Sequence, residues 1–124
     1  MPDESVDCVY CVAVLHHLKT LRERKKALSE FRRVLKKKGL LFLSVWNFYQ
    51  KKFASLGRKR NAFVKWTAKS GKSINRFYHF FEEKELRKLA EESGFRVEKL
   101  FFEKDGEEYE KLGAKNLCAV LRKT

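Results

Sequence analysis

Two adjacent histidines, His16 and His17, follow a run of apolar residues from Val9 to Leu15, with no helix signal in between. Imidazole is the side chain best suited to hold an oxygen or move a proton near neutral pH. A run so free of polar alternation suits a strand buried on both faces. In open α/β sheets, ligands gather at the carboxyl ends of such strands, so the histidine pair marks a candidate reactive edge. The plainer alternative for each is a hydrogen-bonded residue on the rim of the sheet. Cys8 and Cys11 carry the spacing of a redox pair or of half a zinc site. Side chains three apart on a strand point to opposite faces, which favours small buried core residues, and no metal site is expected.

The elements around this edge follow from periodicity. Pro2 to Val6 reads as a loop entering the strand. Thr20 and Glu23 have capping-box spacing, and Leu21, Ala27, Leu28, Phe31, Val34 and Leu35 recur on one helical face, which predicts a helix from about 20 to 37. Gly39 reads as its stop, with Lys36, Lys37 and Lys38 at the negative end of the dipole. Leu40 to Trp46 is a second buried strand, so strand, helix and strand form a parallel crossover unit. Glu82 to Ser93 is a helix with Leu86, Leu89 and Ala90 inward and Gly94 as its end. Phe95 to Glu103 and Asn116 to Arg122 read as a closing antiparallel pair, joined by a polar loop containing Asp105-Gly106. The stretch from Phe48 to Phe81 is too long for an ordinary connection. Within it Phe53, Leu56, Phe63, Val64 and Trp66 suggest a helix or two.

At 124 residues, with 44% hydrophobic and 14% aromatic content, the chain is read as a single domain spanning 1–124. Its 29 Lys+Arg and 16 Asp+Glu leave a formal net charge of +13, which favours a polyanionic partner such as nucleic acid or an anionic membrane surface, and the sign alone does not choose between them. The excess sits in one block. Residues 31–81 hold 14 basic residues and no acidic one, whereas residues 1–30 carry five of each sign and residues 82–124 carry ten basic and eleven acidic. Interleaved with Phe48, Tyr49, Phe53, Phe63, Trp66, Phe77 and Tyr78, such a block suits a surface that tracks phosphates and stacks bases. Lys51, Lys52, Arg58, Lys59 and Arg60 are its candidate phosphate contacts, against the plainer reading of a solubilising surface. No apolar run approaches the length of a membrane span, and Met1-Pro2-Asp3-Glu4 is unlike a signal peptide, so no membrane contact and a cytoplasmic location are expected.

The order D-x-V-x-x-x-x-V-L-H-H-L from Asp7 to Leu18, then a helix, then Phe31 to Gly39, then a strand ending in Val45-Trp46, resembles the second half of a class I S-adenosylmethionine-dependent methyltransferase. More narrowly, Arg76-Phe77-Tyr78-His79-Phe80-Phe81 ahead of a helix, with Asn116-Leu117 opening the last strand, resembles the tRNA wobble-uridine carboxymethyl methyltransferase family. The resemblance implies an α/β, partial Rossmann-like methyltransferase fold. It would contain strands four to seven, the last antiparallel and inserted between the fifth and sixth, with a basic aromatic insert between residues 48 and 81.

The resemblance also implies roles. Ala13 and Val14 would line the methionine side of an S-adenosylmethionine site, with His16 and His17 at the reaction centre. Arg76 would clamp the reacting carboxylate, because its planar fork suits two oxygens, while Tyr78 and His79 would orient the nucleotide. Lys37 and Lys38 stand where the family usually has the proline and first glycine of a KPGG turn. The chain shows neither a glycine-rich loop after a first strand nor an acid ending a second, the features that grip a nucleoside in this fold. Most of the cofactor site is therefore expected outside it. The expected partners are tRNA and a second chain supplying or covering the missing half of the sheet. A small-molecule methyltransferase and a non-catalytic RNA-binding remnant stay open as alternatives.

Overall fold

The computed structural model describes residues 1–50 and 60–124. Lys51, Lys52, Arg58 and Lys59 lie outside the described residues, as do Phe53 and Leu56. Strand β1 (Val6–Val12) leads through a short 3-10 turn (Leu15–His17) into helix α1 (Leu21–Val34), and β2 (Leu35–Trp46) follows without a linker. A hairpin of β3 (Asn61–Thr67) and β4 (Ser73–His79) precedes α2 (Glu83–Glu92). The chain closes through β5 (Phe95–Lys104), the two-residue β6 (Glu107–Glu108) and β7 (Asn116–Lys123).

Five strands form one sheet in the order β1-β2-β7-β5-β6. β1 and β2 are parallel, and β7 runs antiparallel to both β2 and β5. The last strand thus lies between β2 and β5, the place that the resemblance implied for it. The alternation of β2 and β7 explains the layering: Leu41, Leu43, Val45, Leu117, Ala119 and Leu121 point to one face and are buried there with Leu28 of α1 and Leu86, Leu89 and Ala90 of α2. On the opposite face Tyr10 and Phe42 stack with ring centroids 4.9 Å apart, and Tyr10 is 71% exposed.

Local signals account for most boundaries. Thr20 accepts the Glu23 N–H at 3.1 Å and caps α1, a contact that typically stabilises a helix by ~1 kcal/mol. Gly94 takes a φ of 85° after α2, and Asp105-Gly106 turns β5 into β6 with φ of 53° and 84°.

Three expectations are corrected. β1 runs from Val6 to Val12, three residues earlier than the apolar run indicates, and among the described strands it lies at the edge of the sheet with mostly exposed residues. Ala13, with a φ of 58°, ends it, and Leu15 is buried in the turn instead. An apolar run reports burial, and here the burial belongs partly to the turn. Helix α1 ends at Val34 because Leu35 is already extended and pairs with Val6. The left-handed residue of the following kink is Lys38, with a φ of 61°, and not Gly39. Finally, residues 61–79 form a hairpin and no helix. Ala68 N–H bonds Lys72 O at 2.8 Å across its turn, and Gly71 has the positive φ, 86°, that the turn requires.

Candidate active-site rim

The carboxyl ends of β1 and β2 meet the end of the hairpin, and aromatic rings fill the join. Trp46, the last residue of β2, stacks on Tyr78 of β4 with centroids 3.8 Å apart and planes 8° from parallel. Both rings contact His16, at 5.3 and 5.1 Å, and His17 lies 4.4 Å from Tyr78. Backbone bonds hold this geometry: Phe81 N–H donates to Trp46 O and Phe48 N–H to Phe81 O, each at 3.0 Å. Asn47, fully buried, donates to Lys111 O and Ala114 O and accepts from Tyr49 N–H, tying the end of β2 to the entry of β7.

The two histidines take different positions. His16 is 1% exposed, and its Nδ1 accepts the Trp46 N–H at 2.9 Å, so its proton resides on Nε2. Burial first, and the neighbouring His17 second, push its pKa down to about 3. It is a neutral structural acceptor behind the rim. His17 is half-buried and donates from Nδ1 to Phe77 O at 3.0 Å. That bond orients the ring and leaves Nε2 without a partner among the described residues.

The hairpin sorts the remaining candidates by face. Tyr78, Arg76 and Ile74 alternate onto one face with their partners Ala62, Val64 and Trp66, and Ala62 and Val64 pack beside Tyr78 and Phe80. Arg76 therefore shares the Tyr78 face, further out. Its guanidinium lies 4.3 Å over the Trp66 ring and makes no ion pair with a described residue. His79 is on the opposite face and buried, bridging Asn61 Oδ1 at 2.7 Å and Glu85 Oε2 at 2.5 Å. Arg60 pairs with Glu82 at 2.6 Å and stands 3.6 Å from Glu85. Glu82 also accepts from Tyr49 and caps α2 in a capping box with Glu85. Its hydrogen bonds to Arg60 and then Tyr49 hold its carboxyl below the usual range, and the Glu82 bond in turn raises Arg60. Ala13 and Val14 sit at the exposed end of β1, Ala13 held by its N–H to Ser44 O at 3.0 Å.

Of the residues that the resemblance singled out, His17 and Tyr78 are in contact and Arg76 shares the Tyr78 face, whereas His16 is buried behind the rim and His79 faces α2; the sequence reading missed Glu82 and Glu85 as the carboxylates that lock the hairpin to α2. Their position at the start of a predicted helix was the available signal. Among the described residues, no group of three or more His, Cys, Asp and Glu side chains is placed to hold a metal ion, and no helix is long and apolar enough to cross a membrane.

A parallel pair of strands, followed by an antiparallel last strand, defines an α/β domain, and comparison with known proteins shows which. Residues 1–100 match the methyltransferase domain family, and the chain belongs to that family. A protein of Encephalitozoon cuniculi named as a methyltransferase is 39% identical over 100 residues, covering 77% of this chain and 47% of that protein. The tRNA (carboxymethyluridine(34)-5-O)-methyltransferase of Arabidopsis thaliana is 38% identical over 72 residues, covering 58% of this chain and 16% of that enzyme. A crystal structure of a SAM-dependent methyltransferase from Methanosarcina mazei superposes with a TM-score of 0.72 at 22% identity, covering 98% of this chain and 61% of that one. The fold is shared, and the chain spans less than half the length of the curated relatives it matches.

Proposed function

We propose that this chain forms the acceptor side of an S-adenosylmethionine-dependent methyltransferase that methylates the carboxymethyl group of a modified wobble uridine in tRNA. The observation that supports it is the convergence of His17, Trp46 and Tyr78 at the carboxyl ends of a parallel strand pair, with Arg76 on the same hairpin face. The likeness to the Arabidopsis enzyme supplies the substrate class.

The residues present fit one wall of a cofactor site. Ala13 and the 52%-exposed Val14 offer an apolar rim next to the histidine pair, suited to the methionine portion of S-adenosylmethionine. When bound, the cofactor would supply an electrophilic methyl group. The acceptor carboxylate, with an ordinary pKa of about 4, is ionised at neutral pH and needs no general base. The work left to this chain is alignment. Arg76 supplies two parallel N–H donors for the carboxylate oxygens. His17, oriented by Phe77 O, presents Nε2 to a polar group of the nucleotide, and the stacked Trp46–Tyr78 pair forms a rigid wall that excludes water. His79 keeps the hairpin in register with α2 through Glu85.

A fusion that places the amino-terminal portion of the Encephalitozoon relative ahead of residue 1 tests the reading. Transfer of labelled methyl groups to tRNA bearing carboxymethyluridine, and none to the same tRNA lacking the carboxymethyl group, is expected. Turnover confined to small-molecule acceptors would instead establish the small-molecule alternative.

A further inference from the structure

The hairpin face that seals the aromatic cluster does not stop at Tyr78. It continues outward through Arg76 to Trp66 and Ile74, which face each other across the ladder. Trp66 is 45% exposed and Ile74 51%. From Tyr78 to Ile74 is two pleats of strand, about 13 Å. One side of the Trp66 ring is taken by the Arg76 guanidinium, so the pair forms a flat, cationic, partly desolvated platform. Lys69 and Lys72 are exposed at the turn beyond it, and no acidic residue occurs between residues 31 and 81. On the opposite face Phe63, 63% exposed, meets Phe77 edge-on at 5.7 Å and has the flexible Lys19 ammonium, in place of a planar guanidinium, over its ring at 5.8 Å.

We propose that the Trp66–Ile74–Arg76 face of the β3–β4 hairpin docks single-stranded RNA, one base stacking on the Trp66–Arg76 platform while Lys69 and Lys72 meet flanking phosphates. This rests on the tRNA reading above and deepens it by placing the strand that leads into the site. The chemistry is that of a single strand: an indole and a guanidinium plane accept any unstacked base, whereas a duplex hides its base faces. The positive charge of the hairpin, whose residues 61–79 include no carboxylate, supplies the complementary field. A strand lying on this face runs toward the half-buried His17 beside the buried Tyr78 ring, so docking leads the acceptor nucleotide to the rim.

Fluorescence anisotropy of the 124-residue chain with a labelled single-stranded anticodon-loop RNA, and with a duplex of equal length, tests this. The wild-type chain should prefer the single strand. Trp66→Ala should weaken it by about 5- to 150-fold, the loss typical of one stacked base. Trp66→Phe should restore most of the affinity, and Phe63→Ala on the opposite face should leave it within about twofold, a contrast that follows from the face assignment. Circular dichroism melting of each variant separates lost stacking from lost folding. If single-stranded RNA binds but Trp66→Ala and Phe63→Ala behave alike, the platform is overturned while the RNA reading survives. Failure of any RNA to bind at low salt, with binding to anionic vesicles instead, overturns both.

Discussion

The Nδ1 atom of His16 accepts the backbone N–H of Trp46 at 2.9 Å, joining the turn after β1 to the last residue of β2. The bond requires a neutral imidazole, and burial holds the folded pKa near 3. An unfolded histidine titrates at about 6.5. Between those values the unfolded chain binds a proton that the folded chain does not, so stability is fully present above about pH 6.5 and is lost as pH falls toward 3.

The expected slope is up to ~1.4 kcal/mol per pH unit, read from urea unfolding between about pH 7 and 5, above the range in which carboxylates protonate. His16→Asn, whose Oδ1 can accept the same N–H without titrating, should flatten the slope. An unchanged slope in that variant would assign the titration to another group.

The turn after α1 makes a second prediction of opposite signs at adjacent positions. A Cβ on Gly39 would stand 2.9 Å from Lys36 O and from Leu35 Cδ2 and 3.1 Å from Asp7 O. Gly39→Ala should therefore destabilise the chain by about 1–3 kcal/mol, the range for overpacking against backbone. Lys38 sits at a φ of 61°, where a side chain costs roughly 1–2 kcal/mol and glycine little. Lys38→Gly should stabilise by about 0.5–1 kcal/mol. Its carbonyl bond to Arg122 at 2.8 Å is backbone and survives the change. Chemical denaturation of both variants reads the pair.

That position shows how far the sequence could be read. The departure from the KPGG pattern at Lys38 was visible, and the strain it causes was not, because Gly39 looked like the stop. The alternation of Leu41, Leu43 and Val45, and the periodicity of Leu86, Leu89 and Ala90, made the layers legible, since each period matches one buried face. The hairpin was missed because Phe63, Val64 and Trp66 fit no single period when both faces of a ribbon carry large side chains. Ser70-Gly71 was its overlooked turn signal. The histidine pair was legible as the end of a strand, but sequence order could not divide one buried acceptor from one rim donor. The basic block was legible as charge, yet Arg60 is neutralised by Glu82 and Glu85, which lie just beyond it in sequence.

The edge of the sheet carries a third prediction. β1 pairs only with β2 among the described strands, and Tyr10 and Val12 are 71% and 62% exposed. An apolar edge strand beside an open sheet face is a template for pairing with another chain. Sedimentation velocity at tens of micromolar should show self-association, and Val12→Lys should reduce it by placing a charge on the edge. A compact monomer for the wild-type chain would count against the edge as an association surface.

Arg76 and the basic block should fail in different ways. Neutralising Lys51, Lys52, Arg58, Lys59 and Arg60 removes phosphate contacts, so RNA affinity should fall and its salt slope flatten by roughly 0.7–0.9 per lost contact. Arg60, already paired with Glu82 at 2.6 Å, should contribute the least of the five. In the fusion protein, Arg76→Ala should lower methyl transfer at saturating RNA by on the order of 100-fold, the scale on which misalignment of a reacting group costs rate, in addition to the affinity it loses with the Trp66–Arg76 platform. Arg76→Lys should recover only part of that loss, because a point charge cannot reproduce a two-pronged grip. The Trp66 ring 4.3 Å from the guanidinium fixes the fork in place, so Trp66→Ala should lower turnover at saturating RNA as well as affinity. Turnover left intact by Arg76→Ala, but abolished at saturating RNA by the five-residue change, would move the carboxylate clamp from the hairpin to elsewhere in the basic block.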